Sequence, residues 1–316
     1  MNIVWSDDCS TMVDNVGFVE IARTQIELTG EDRAKFLHNL CTNEIKKLQP
    51  GQGVEAMLLD ARGHVLFLGI VFCRTGSLVI DTMHDQGERL LAHLNKYQIR
   101  EQVEFHDRTA DWAEIIVAGC RSVETLEKLG IAPPDAMLAH VDAQLSGIAV
   151  QVRRVPFTEL TTFALVVARG ELEQVEQKLL GAGVARCNPL ALEALRVEAG
   201  WPEADTEVTD KTLPQELARD RAAISFVKGC YIGQETVARI DALGHVNRYL
   251  VRLRIAGNEP PPAKSPISND GSDVGLITSA AYSPSQQAIV ALGYVRRGLH
   301  TTGTQLTTVV GPADVR

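Results

Sequence analysis

One eight-residue run concentrates reactive groups: Lys228-Gly229-Cys230-Tyr231-Ile232-Gly233-Gln234-Glu235. A thiol sits here between two glycines and two residues from an ammonium, just ahead of Glu235–Ile240, a stretch able to form a helix. Glycine allows positive φ or close backbone approach, and a helix start offers free N–H groups and a positive dipole end. Thiolate chemistry at Cys230 is what this pattern points to, because a neighbouring cation and a helix start both favour the anion. The alternative is a small buried thiol that only shapes a tight turn.

The elements that must position this run read as follows. Residues 19–28 alternate as a strand, and Thr29 with Asp32 marks a capped helix start before Phe36, Leu37 and Leu40. Val54–Leu59, Val65–Cys73 and Leu78–Asp81 form an antiparallel meander, covered by a helix carrying Leu90, Leu91, Leu94 and Tyr97. From Trp112 to Val184 strands alternate with helices, one over Val123–Leu129 and one with Leu172, Val175, Leu179 and Leu180 on a single face. Asn188-Pro189 starts another helix, and Gly200 stops it. After the proline-rich stretch 258–266, three β-like runs join Tyr249–Ile255 in a small C-terminal β-domain. The fold class is α+β, in two or three domains.

Composition removes several function classes. Lys and Arg total 31 against 40 for Asp and Glu, a net charge of −9, so phosphate backbones are repelled and no direct nucleic-acid partner is expected. The longest apolar run, Val65 to Cys73, is far short of a spanning helix, so no membrane is expected. Residues 1–16 have no basic or apolar leader pattern, which predicts a cytoplasmic protein with free thiols. The six cysteines lie far apart, with no Cys-x-x-Cys or Cys/His cluster, so no metal site is expected.

The run at 228–235 resembles the K-G-C-[YF]-x-G-Q-E signature of the YgfZ/GcvT-like folate-binding family, relatives of the glycine-cleavage T-protein. Weaker matches follow in the family's order: Thr29-Gly30-Glu31-Asp32, Phe36-Leu37, Thr42-Asn43, Arg62-Gly63, Ala194 to Gly200 and Gly275 to Ser279. Arg239 is counted with the signature. The resemblance implies two α+β lobes with antiparallel sheets and a C-terminal β-barrel around a central folate hole. The first lobe would take 1–47 with 108–190, the second 48–107 with 191–245, and the barrel 246–316. It further implies tetrahydrofolate or a derivative as ligand, Cys230 as the catalytic group, and a role in iron–sulfur cluster assembly or repair and tRNA modification, with iron–sulfur client or assembly proteins as partners. The alternative is a folate-dependent aminomethyltransferase or demethylase.

Folate contacts are expected at Arg196 and Glu198, and also at Arg23, Met57, Asp60, Phe157 and Glu159. Each has a plainer reading. Arg196 can pair with Glu193 at i,i+3, Arg23 and Glu159 can be surface charges, Asp60 can make an Asx turn, and Met57 and Phe157 can be core. Glu198 opposes the dipole in the last turn of its helix, and a carboxylate there suits the N–H donors of a pterin. The T-protein carries an Asp-Asp pair in the strand after the Arg62-Gly63 region. Matching from Gly63 puts Phe67 and Leu68 at those positions, which argues against aminomethyl transfer.

Overall fold

A computed structural model describes residues 6–316. Two antiparallel-rich sheets lie face to face with helices outside them, and a closed barrel caps one end. The first sheet has six strands in the order 185–186, 17–21, 112–118, 162–168, 148–154, 140–145. All its pairings are antiparallel except that of Gly17–Ile21 with Ala185–Arg186. The second sheet has five strands in the order 53–59, 65–74, 77–83, 23–29, 104–107. The six strands 248–255, 288–296, 272–283, 266–269, 305–308 and 311–315 close the barrel.

Four apolar seams hold these layers. Helices Ser122–Lys128 and Leu172–Gly181 set Leu126, Val175 and Leu179 on one face of the first sheet. Helices Arg33–Leu40 and Gly87–Tyr97 set Phe36, Leu37, Leu90 and Leu94 on the second. Between the sheets Ile70 and Phe72 meet Ile116, Ala164, Phe157 and Trp201. The barrel docks through Leu250, Leu292 and Tyr294 on Met57, Leu59, Leu68, Ala194 and Val197. No helix among the described residues is long and apolar enough to cross a membrane.

The meander, the helices and the C-terminal β-domain fall where the apolar periods place them. Two expectations change. Residues 19–28 are not one strand: Gly17–Ile21 belongs to the first sheet and Arg23–Thr29 to the second, with Ala22 between them. The chain therefore changes sheets at Ala22, and 23–47, expected in the first lobe, packs with the second through Arg23–Thr29 and Arg33–Leu40. Strand Arg23–Thr29 is buried along nearly its whole length, so periodicity carries no mark of the change. Asp32 stands at the N-cap of its helix without capping it; its Oδ2 accepts from the Gln102 amide at 2.9 Å instead. The Asn188 cap is made, with Oδ1 accepting from the Leu190 amide at 2.9 Å, and Gly200 ends that helix at φ +75°.

Candidate functional site

Helix Pro189–Ala199 runs between the sheets and the barrel, and its C-terminal end builds a polar centre. Arg196, nearly fully buried, donates Nε and Nη2 to Glu193 at 2.6 Å each and a further Nη2 bond to Ser279 Oγ at 3.0 Å. Its Nη1 donates to the Trp201 carbonyl and reaches Glu207 Oε2 at 3.4 Å. Glu207, fully buried, accepts from the Glu203 amide at 2.9 Å, Thr206 Oγ1 at 3.0 Å and Ser279 Oγ at 2.7 Å. One carboxylate thus ties the 203–207 loop, the helix and the barrel together. The intrahelical pair expected for Arg196 exists, as one contact of several.

Beside this centre lies a cavity of about 380 Å³, lined among others by Arg23, Phe157, Glu193, Arg196, Trp201 and Glu203. Arg23 is buried, not a surface charge: Nε donates to Asp81 Oδ1 at 2.7 Å, and its guanidinium lies 4.9 Å from the Phe157 ring centre. Phe157 packs on Trp201 with ring centres 4.9 Å apart. Arg23 Nη2 and Trp201 Nε1 are buried without a hydrogen-bond partner. Buried donors in folded proteins are nearly always satisfied, so two orphaned donors on one cavity wall suit a ligand that brings acceptors. Glu203 also lines the cavity, and its carboxylate makes no hydrogen bond among the described residues.

The other expected contacts lie elsewhere. Glu198 does not line the cavity: it faces Ser283 and Ser285 on the barrel side, where burial pushes its carboxyl above the usual range. Met57 is fully buried in the seam under the barrel. Asp60 makes the Asx turn, Oδ1 accepting from the Arg62 and His64 amides at 2.8 Å each. Glu159 is exposed and pairs with Arg252. Leu66, Phe67 and Leu68 place no carboxylate on their strand, Phe67 facing the outer helices and Leu68 the barrel seam.

The signature folds as a docked loop ahead of helix Gln234–Leu243. Gly233 caps that helix at φ +81°, and a Cβ there would stand 2.7 Å from the Asp60 carbonyl and 3.0 Å from Gly63 Cα. Only glycine fits both the conformation and the approach. Thr236 Oγ1 donates to the Arg62 carbonyl at 2.8 Å, and the Ile232 amide to the Asn39 carbonyl at 3.1 Å. Gln234 Oε1 accepts from the Tyr231 amide at 3.4 Å, and Tyr231 is buried beneath the barrel. Gly229, by contrast, has open space around it.

Lys228 does not serve the thiol. Its ammonium donates to the carbonyls of His38 at 2.5 Å, Cys41 at 2.7 Å and Asn43 at 2.8 Å, which uses all three protons to close the end of helix Arg33–Leu40. Cys230 is exposed and makes no hydrogen bond among the described residues. Neighbouring Phe226 and Val227 are exposed at 47% and 96%, so the thiol stands on an open, apolar ledge. Glu235 and Arg239 are likewise exposed and unpaired among the described residues. Trp201, Glu203, Glu207 and Ser279 escaped the sequence reading, although Trp201 directly follows the Gly200 cap and Ser279 lies in a matched segment.

Comparison with known proteins places this geometry. The GCVT N-terminal domain matches residues 1–226, and the glycine cleavage T-protein C-terminal barrel domain matches residues 248–315. A putative chloroplastic transferase of Arabidopsis thaliana is 26% identical over 90% of this chain, which spans 66% of that protein's length. Proteins named aminomethyltransferase from Synechocystis and Rippkaea orientalis are each 26% identical, over 93% and 95% of this chain and 81% and 84% of theirs. The crystal structure of glycine cleavage system aminomethyltransferase T from Bartonella henselae superposes with a TM-score of 0.89 at 20% identity, covering 98% of this chain and 88% of that one. The chain belongs to the family of the GCVT N-terminal domain, joined to a T-protein C-terminal barrel.

Proposed function

We propose that this protein binds tetrahydrofolate in the central cavity and works as a folate-dependent protein of the aminomethyltransferase fold. The observation that carries the reading is the pair of orphaned donors, Arg23 Nη2 and Trp201 Nε1, on one wall of a cavity flanked by Phe157. A folate brings acceptor atoms, in its ring and its carboxylates, and a flat apolar face to such a wall. Arg196, locked by Glu193, Ser279 and Glu207, keeps that wall in place. Binding is tested by thermal denaturation with tetrahydrofolate under reducing conditions, since a ligand selective for the folded state raises Tm by mass action. No shift at millimolar ligand defeats the reading.

Two uses of the bound folate are supported by different observations. The names of the relatives support aminomethyl transfer, and Glu203 is a carboxylate on the cavity wall able to move a proton. The apolar positions 66–68 and the exposed Cys230 support the second, an accessory role in iron–sulfur cluster maintenance of the YgfZ type, with the thiol meeting a client protein. The family and the names of the relatives give the first the stronger support. On that reading, transfer from an aminomethylated lipoyl carrier to tetrahydrofolate is expected from the wild-type protein. On the second, Cys230→Ser is expected to bind folate and yet fail to restore iron–sulfur enzyme activity in cells lacking the protein. Turnover of the carrier would assign the protein to aminomethyl transfer, and full rescue by the serine variant would leave the signature as a structural turn.

A further inference from the structure

Behind the cavity wall, four buried charged side chains from four strands meet. Asp81 accepts from Arg23 Nε at 2.7 Å through Oδ1 and from Arg153 Nη1 at 2.7 Å through Oδ2. Arg153 is completed by Gln151 Oε1 at 2.8 Å and Gln25 Oε1 at 3.1 Å. The fourth member, Glu114, is 1% exposed, and neither of its oxygens accepts a hydrogen bond. Its closest cation, Arg153 Nη1, is 3.7 Å away and already committed to Asp81. The groups facing it are Asp81 from strand Ser77–Met83, Arg23 from Arg23–Thr29 and Arg153 from Ile148–Arg154; its partners in its own sheet are Ile21 and Val166.

A buried carboxylate without a donor is among the costliest arrangements a protein can hold, and taking up a proton removes the cost. Protonation also turns Glu114 into a donor, with the Asp81 carboxylate beside it as acceptor. Burial and the Asp81 charge both push the Glu114 carboxyl well above the usual range. We propose that Glu114 is held as a neutral carboxylic acid, so that Arg23 and Arg153 are offset only by Asp81 behind the wall and by the Glu203 carboxylate in the cavity, and the cavity takes a carboxylate of its ligand at Arg23 Nη2. Glu114 is then a positioning residue that sets the charge of the site without touching the ligand. The inference rests on the cavity being the folate site. The carboxylate comes from the glutamyl end of the folate or from a separate small carboxylate substrate.

The test measures binding of 5-formyltetrahydrofolate, its analogue lacking the glutamate, and acetate, to wild type and Glu114→Gln from pH 6 to pH 9. Glutamine is the uncharged shape of the protonated acid, so the variant is expected to fold and to match wild type at pH 6. At higher pH it either still matches or binds tighter, wherever ionising Glu114 weakens wild type. A variant at least about tenfold tighter already at pH 6, as removal of a full adjacent charge requires, would overturn the proposal. So would a variant that does not fold, because the ionised carboxylate would then be needed. Weaker binding of the glutamate-free analogue assigns the carboxylate to the folate, and competition by acetate assigns it to a second substrate; the absence of both effects overturns the carboxylate assignment. If no folate binds at all, the functional reading fails separately, and carbon NMR of labelled glutamate carboxyls still decides. The resonance missing in Glu114→Gln is expected to stay protonated at neutral pH, and titration in the ordinary carboxylate range overturns the inference.

Discussion

The central cavity and the signature loop are built on opposite plans. The cavity wall draws Arg23, Phe157, Arg196, Trp201 and Glu203 from distant stretches of chain and spends most of their polar atoms on each other. The loop is one contiguous segment whose Lys228, Tyr231, Ile232 and Gly233 are all consumed by docking, which leaves Cys230 with nothing to do inside the fold. Side chains that hold structure are over-determined, and those left free are where a function has to be sought. In the cavity the free groups are two N–H donors and the Glu203 carboxylate; on the loop the free group is a thiol.

The largest effect is expected where the two plans share a foundation. Glu207→Ala strips partners from Arg196, Ser279, Thr206 and the Glu203 amide and leaves a buried guanidinium short of a counter-charge. It should cost about 3–5 kcal/mol in urea denaturation. A loss below about 1 kcal/mol, the ordinary size for point changes, would show that the cavity wall stands without it.

Next in size is a contrast within the loop. Gly233→Ala puts a side chain into a left-handed conformation against the Asp60 carbonyl, and should destabilise by about 1–3 kcal/mol. Gly229→Ala meets open space and should stay within about 0.5 kcal/mol. Equal losses at the two glycines would break the account of how the loop docks.

Trp201→Phe separates binding from stability. The indole N–H has no partner in the unliganded protein, so losing it costs nothing by itself, while the smaller ring leaves a cavity that should cost about 1–3 kcal/mol. Folate affinity should fall by about tenfold, the worth of one hydrogen bond. Loss of stability with folate affinity unchanged would make Trp201 a packing residue only.

Cys230→Ser should be the smallest perturbation, within about 0.5 kcal/mol in stability and without effect on folate affinity. Mass spectrometry after brief alkylation should find label at Cys230 and Cys120, the two exposed thiols. The buried Cys9, whose pKa burial pushes up to about 12, should remain unlabelled in the folded protein.

How much of this was legible in the sequence follows from the same contrast. The signature was readable because its residues are contiguous and its glycine has a local steric cause in the φ of Gly233. The helix Pro189–Ala199 was readable from its two ends, through Asn188 and Gly200. The cavity was only half legible. Resemblance drew attention to Arg23, Phe157 and Arg196, yet it equally drew in Glu159, which is on the surface, and Glu198, which turns to the barrel. Spacing along a chain cannot say which face of a helix end meets a cavity when barrel and sheets both press on it. Glu114 and Arg153 carried a faint sign, charges inside apolar strands, but their partners Asp81 and Arg23 arrive from the other sheet.

The change of sheet at Ala22 has a consequence for how the chain is made. Strand Gly17–Ile21 leaves the ribosome early, yet its antiparallel neighbour is Trp112–Ala118 and its parallel one Ala185–Arg186. Strand Arg23–Thr29, directly after it, finds both neighbours by residue 107. The second sheet can therefore close while the first strand of the other hangs from its edge as an unpaired apolar ribbon. Long-range pairing of this kind is slow and exposes sticky edges while it waits. A nascent chain that has exposed residues up to 107 but not yet 112 has the second sheet complete and that ribbon still bare.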